Sequence, residues 1–157
     1  MIPELTLLGT PLERGRAHGE HLRDPIGHAI DRWYEHIASR YDPRRLTIEV
    51  TNAGFLDAAE RHTRELVDEV RGIAEGSGQA FETMFAWQLV DECWWYLDEI
   101  TGSPQPHEAC SAMAANDGSR GFVAQTQDLY RHVDGSQVML RYVDEDGLEV
   151  LAPSTCR

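Results

Sequence analysis

Three side chains raise the first chemical question in this chain. Cys110 and Ser111 stand together at the head of "CSAMAAND", and Asp128 closes "GFVAQTQD" eighteen positions after the cysteine. If these two segments pair as a hairpin, Asp128 returns beside Cys110, and Ser111 adds a second polar contact. Ala109 is small and leaves room for a thiol to attack its carbonyl. His107, three residues before the cysteine, can assist proton transfer or can be an ordinary solvated loop histidine. A free cysteine is equally a small apolar residue suited to a core. The residues alone leave both readings open.

The elements around Cys110 make it a boundary. Glu4 to Leu8 reads as a short strand, and "GTP" as a turn. "LERGRAHGEHL" reads as a short helix weakened by Gly15 and Gly19. In "DPIGHAIDRWYEHIASRY", Asp24 is the expected cap and Pro25 the first helical residue. Ile26, Ile30, Trp33, Ile37 and Tyr41 recur at helical spacing there, and "DPRR" is expected to end that helix. From Asn52 onward, Leu56, Ala59, Thr63, Leu66, Val67, Val70, Ile73 and Ala74 keep a 3.6-residue period, which predicts one long amphipathic helix stopped by "GSG". Phe81 to about Glu99 reads as another, apolar on more than one face. "TGSPQPHEA" is a loop. Beyond it the period changes to that of strands, with "NDGSRG" and "DEDG" as hairpin turns. The order is helices first and antiparallel hairpins second, an α+β chain divided at Cys110.

The totals narrow the function classes. The 157 residues suit one domain of ordinary size, and 41% hydrophobic and 26% charged residues predict a folded chain. The formal charge is −13, and all 14 basic residues are arginine. That balance argues against nucleic-acid and anionic-membrane partners, and it removes lysine nucleophiles and Schiff bases. No apolar run approaches the ~18 residues of a membrane helix, and the N-terminus does not read as a signal peptide. Three cysteines without clustering (Cys93, Cys110 and Cys156) predict reduced thiols and a cytoplasmic location. Cys93 is expected to be buried and Cys156 to be a tail thiol.

Other candidates have a plain alternative beside them. His18-x-x-His21 can ligate a metal only with further ligands, and surface histidines are commoner. The Trp94-Trp95-Tyr96 cluster can line an acyl pocket or pack in the core. Glu75 in "GIAEG" has no mechanistic role that the sequence suggests. The acidic run "VDEDG" reads as a solvated turn.

Four stretches together resemble the acyl-CoA:6-aminopenicillanic acid acyltransferase family of self-processing cysteine N-terminal-nucleophile (Ntn) hydrolases. They are "GTPLERGRAHGEHL", "VRGIAEGSG", "FETMFAWQLVDE" and "ACSAMAA…GFVAQTQD". The resemblance implies an α+β Ntn-hydrolase αββα sandwich, here only in part. Residues 1–109 would be a helical pro-segment and 110–157 the start of the nucleophile-bearing sandwich. It implies cleavage between Ala109 and Cys110, with Cys110 as nucleophile. Asp128 would orient the new α-amine or assist the cut, and Ser111 would donate a supporting hydrogen bond. The implied substrates are small amides, acylated amino acids or peptides, or β-lactam-like acyl donors and acceptors. No cofactor is implied, beyond acyl-CoA as a possible co-substrate.

This chain departs from the family pattern at three places. Ala109 stands where glycine is usual, Ser111 where threonine is usual, and Gln125-Thr126-Gln127-Asp128 replaces Gln-Asn-Trp-Asp. The family's oxyanion-stabilising asparagine lies beyond the span of this sequence, and neither Asn52 nor Asn116 matches it. The expectation is therefore a partial family member, inactive alone, that forms a homodimer or is completed by a C-terminal chain. The alternatives are a non-catalytic remnant or subunit that completes its sheet with a partner, and a helical interaction module with packed cysteines.

Overall fold

A computed structural model describes residues 2–104, 110–143 and 147–156. The architecture is mixed α and β. A short strand, β1 (Glu4–Leu7), leads into helices α1 (Pro11–His21), α2 (Arg23–Ala38) and α3 (Pro43–Val50). A widened turn (Thr51–Phe55) joins α3 to α4 (Leu56–His62), followed by α5 (Arg64–Ser77), α6 (Phe81–Gln88) and α7 (Val90–Thr101). Strands β2 (Ser111–Asn116), β3 (Gly121–Thr126), β4 (Val138–Val143) and β5 (Glu149–Ser154) follow. Among the described residues the strands form two separate sheets. One has the order β1-β4-β5, with β1 parallel and β5 antiparallel to β4, and the other is the β2-β3 hairpin. The first strand of the chain thus shares a sheet with the last two. Arg141 on the central strand ties its neighbours together, donating to Glu4 at 2.8 Å and to Glu149 at 2.6 Å.

The tightest contact in the molecule is between α1 and α5. Gly15 and Gly19 of α1 meet Gly72 and Gly76 of α5, backbone against backbone. A Cβ on Gly15 would stand 1.9 Å from the Glu69 carbonyl oxygen, and one on Gly72 would stand 2.3 Å from that of Leu12. The glycines expected to weaken α1 are therefore what lets it dock. Each costs roughly 1 kcal/mol of helix propensity, which the contact offsets. Charges reinforce the crossing from both sides. Arg14 pairs with the mostly buried Glu69 at 3.0 Å, and Arg23 donates to the Gly76 carbonyl at the end of α5 at 2.7 Å. The core beneath is built on Trp33, Trp87, Ile26, Ile37, Leu46, Met84 and Leu97, all fully buried.

Several helix boundaries differ from the sequence expectation. Leu22 ends α1 and begins α2 at once, with its side chain drawn into the core, so Asp24 and Pro25 fall inside the first turn of α2 rather than at its cap. The Asp-Pro start signal operates instead at Asp42-Pro43. There the Asp42 carboxylate accepts from the backbone N–H groups of Arg44 and Arg45 at 2.9 and 3.2 Å, and "DPRR" begins a helix rather than ending one. The single helix expected from Asn52 is two, broken at Thr63, whose N–H and hydroxyl both donate to the Ala59 carbonyl. The helix expected from Phe81 is likewise interrupted at Leu89.

The α1–α5 contact makes a sharp prediction. Gly72→Ala should lower stability by about 2 kcal/mol or more, as an overpacked backbone contact does. Gly27→Ala should raise it by up to about 1 kcal/mol, because Gly27 is helical and a methyl there meets only the Gln79 side chain at 3.7 Å. Urea unfolding of both variants checks this, and a Gly72→Ala midpoint at or above wild type would contradict the packing.

Candidate functional site

The β2-β3 hairpin positions Cys110 and Asp128. Its turn is held by Asp117, whose carboxylate accepts from the N–H groups of Ser119 and Arg120 and from the Ser119 hydroxyl, each at 2.8 Å. The Ser119 backbone bond leads the causes that lower the Asp117 pKa. Asn116 accepts from Gly118 N–H at 2.6 Å, which commits its side chain to the turn. Ser111 is registered opposite Thr126. Continued one step, that register sets Cys110 across from Gln127, with Asp128 next along the chain. At this end Ser111 N–H donates to the Thr126 hydroxyl at 3.2 Å.

Cys110 is exposed, immediately before β2. With Asp128 it lines a cleft of about 430 Å³ that also takes in Asp91 and Trp95 of α7, Tyr130, His132 and Thr155. The structure thus brings two of the three candidate residues to one cavity and leaves Ser111 outside its lining. Ala109 and His107 lie outside the described residues. The end of α7 is held by Arg40, which donates to Asp98 at 2.6 Å, to Thr101 at 3.2 Å and to the Ser103 carbonyl at 2.8 Å.

Four cleft residues were not singled out as chemical groups by sequence reasoning, or were so only as part of a cluster. Trp94 and Trp95 divide the two roles proposed for their cluster: Trp94 is buried, and Trp95 is exposed at the cleft. Trp94 packs with His36, Tyr130 and His132, and the Tyr130 and His132 rings stack 5.6 Å apart. Tyr130 and His132 lie in the short segment between β3 and β4, where no periodicity marks them. Asp91 lines the cleft from the first turn of α7, just after the helix break at Leu89. Two carboxylates, Asp91 and Asp128, therefore share a cavity with the exposed thiol. That arrangement favours a cationic amine and disfavours a polyanionic ligand.

The other thiols have different surroundings. Cys93 is buried as expected, and burial pushes its pKa up to about 12. Cys156 is not a tail thiol: it is buried, donates to the Ser136 carbonyl at 2.7 Å and is pushed up to about 11 by burial. His18 is buried in the helical layer, whereas His21 is exposed and bonds the Ala17 carbonyl. Among the described residues no group of three or more His, Cys, Asp or Glu side chains is placed to hold a metal ion. No described helix is long and apolar enough to cross a membrane.

Comparison with protein-family models gives no match, and comparison with curated proteins gives none either.

Burial separates the three thiols into one reactive and two protected groups. Iodoacetamide at neutral pH should label the native protein once, at Cys110, with Cys93 and Cys156 reacting only after denaturation. Peptide mass mapping reads the sites. Labelling of Cys93 or Cys156 at the rate of Cys110 would contradict this arrangement.

Proposed function

We propose that Cys110 is the nucleophile of a self-processing cysteine amide hydrolase or acyltransferase of the Ntn class, and that this chain is its nucleophile-bearing portion. The observation that carries the reading is the exposed Cys110 thiol, set at a strand start and sharing a cleft with Asp128. The four stretches that resemble the acyl-CoA:6-aminopenicillanic acid acyltransferase family agree with it in order.

The chemistry runs in two stages. The Cys110 thiol gives up its proton and attacks the Ala109 carbonyl carbon. The Ala109–Cys110 C–N bond breaks, the acyl group passes to sulfur, and the Cys110 nitrogen takes a proton to become an α-amine. Water then hydrolyses the thioester, leaving a carboxylate on Ala109 and a free thiol on Cys110. In turnover the α-amine, with a pKa near ~8, accepts the thiol proton. The sulfur is acylated by a small amide, and water or an amine takes the acyl group away. Asp128 holds the α-ammonium by charge. The acidic cleft suits an amine acceptor better than the phosphate-rich acyl-CoA.

The hairpin supports a second element of the proposal, that turnover needs further polypeptide. Met113 and Phe122 project from one face of β2-β3 and Val123 from the other, and all three are more than half exposed. Strands apolar on both faces are those of a sheet covered on both sides. The layered Ntn sandwich would cover them so, with a C-terminal chain or a second copy completing it. The same exposed faces also favour the alternative of a non-catalytic subunit that only donates this hairpin to a partner's sheet.

Intact-mass measurement separates these readings. The chain should be found as two fragments divided between Ala109 and Cys110, alone or when co-expressed with the reading frame that follows it, and Cys110→Ala should abolish the cut. Ala109→Gly should speed cleavage about fivefold, since glycine reaches the conformations that attack on its own carbonyl requires at roughly 1 kcal/mol less cost than alanine. A single uncut chain in both arms would overturn the catalytic reading and leave the subunit one.

A further inference from the structure

A second cavity lies on the helical layer, and it is built from residues that the proposed chemistry does not use. It has a volume of about 360 Å³, within the range of small-molecule sites. Val70, Ile73 and Phe85 form its apolar walls, and Phe55 and Leu66 stand exposed at its mouth. These mouth residues include part of the α4–α5 face that helical periodicity assigns to a core. Nothing among the described residues covers it.

The cavity also has a polar set. His18 is 1% exposed, held between the two glycines of α1 that dock against α5. Neither ring nitrogen completes a hydrogen bond of good geometry, although one is directed at the Cys156 backbone, and the buried Nε2 of Gln88, which lines the same cavity, has no partner. Buried polar atoms of this kind cost free energy until something pairs with them. Burial holds the His18 pKa down to about 4, only partly opposed by a hydrogen bond to the Cys156 backbone, so near neutral pH the ring is neutral, its N–H toward Cys156 and its other nitrogen an acceptor. Gln88 adds a donor. Glu69, buried in the wall and paired with Arg14, brings negative charge to the same cavity.

We infer that this cavity binds a small uncharged molecule with an apolar body and a carboxamide head. An amide oxygen accepts from Gln88 Nε2, and an amide N–H donates to the unprotonated ring nitrogen of His18. The aliphatic body lies along Val70, Ile73 and Phe85. A carboxylate head has no N–H for that ring nitrogen and would bury a charge whose nearest cation, Arg14, is already paired with Glu69, which selects against anions. This site is separate from the Cys110 cleft, and the inference does not rest on the proposed catalytic role.

Octanamide and octanoate are the probes, titrated calorimetrically into the full chain at neutral pH. Octanamide should bind saturably with one site per chain, and octanoate at least about tenfold more weakly. Gln88→Met keeps the volume and removes the donor, and it should weaken octanamide about tenfold. Ala59→Trp, which fills the cavity from α4, should abolish binding while thermal unfolding stays cooperative. Imidazole ¹⁵N resonances of His18 should shift on saturation. The inference is overturned by absence of saturable octanamide binding, by equal binding of octanoate, or by unchanged affinity in Gln88→Met. It is equally overturned if sedimentation shows a dimer that Leu66→Arg dissolves, since the cavity is then an interface between copies.

Discussion

Everything in this molecule depends on two helices touching through their backbones. Gly15 and Gly19 against Gly72 and Gly76 let α1 lie on α5 at a distance that any side chain would forbid. The consequences run in both directions along the chain. Before α1, β1 is carried into position beside β4, which closes the three-stranded sheet. After α1, Leu22 turns the chain directly into α2, whose last turn leads to Arg40 and its hold on Asp98 and Ser103 at the end of α7. Within α1, the same contact buries His18 and sets it against the cavity floor. One crossing therefore places the sheet, the start of α2 and the second cavity.

Much of this was legible in the residues, and the remainder was hidden for physical reasons. The change from helical to strand period was legible, with α7 ending at Thr101 and β2 beginning at Ser111, because side-chain periodicity follows directly from backbone geometry. The hairpin and its "NDGSRG" turn were legible for the same reason, through the chemistry of Asp117 and Gly118. The glycines of "ERGRAHG" and "RGIAEGSG" were visible only as helix breakers. Their use is a tertiary contact 57 residues apart in sequence for Gly15 and Gly72, and no local rule reports that. The capping signal was read at Asp24-Pro25 when it belonged to Asp42-Pro43, since the two have the same local chemistry and packing at Leu22 decides between them. A box formed by Thr10 and Glu13 caps α1 and was available in the sequence as Thr-x-x-Glu.

The sequence pattern brought Cys110 and Asp128 to one place but did not mark the walls of the cleft they share. Cys110 and Asp128 come together because a hairpin must bring its ends together. Asp91, Trp95, Tyr130 and His132 arrive from a helix break and an irregular segment, neither of which has a period to read. The result is an exposed thiol in an acidic, partly aromatic cavity, on a hairpin whose apolar side chains point outward on both sides. The proposed reading joins those two features, taking the thiol as nucleophile and the outward apolar side chains as the seat of further polypeptide.

The central claim is that Cys110 becomes an N-terminal residue carrying both thiol and amine. 2-Cyanobenzothiazole condenses with a 1,2-aminothiol and not with an internal cysteine, so it reads that state directly. The account predicts a stable adduct on a fragment beginning at Cys110, absent in the Cys110→Ala protein. Complete lack of adduct, under conditions in which a peptide with N-terminal cysteine reacts fully, would contradict it.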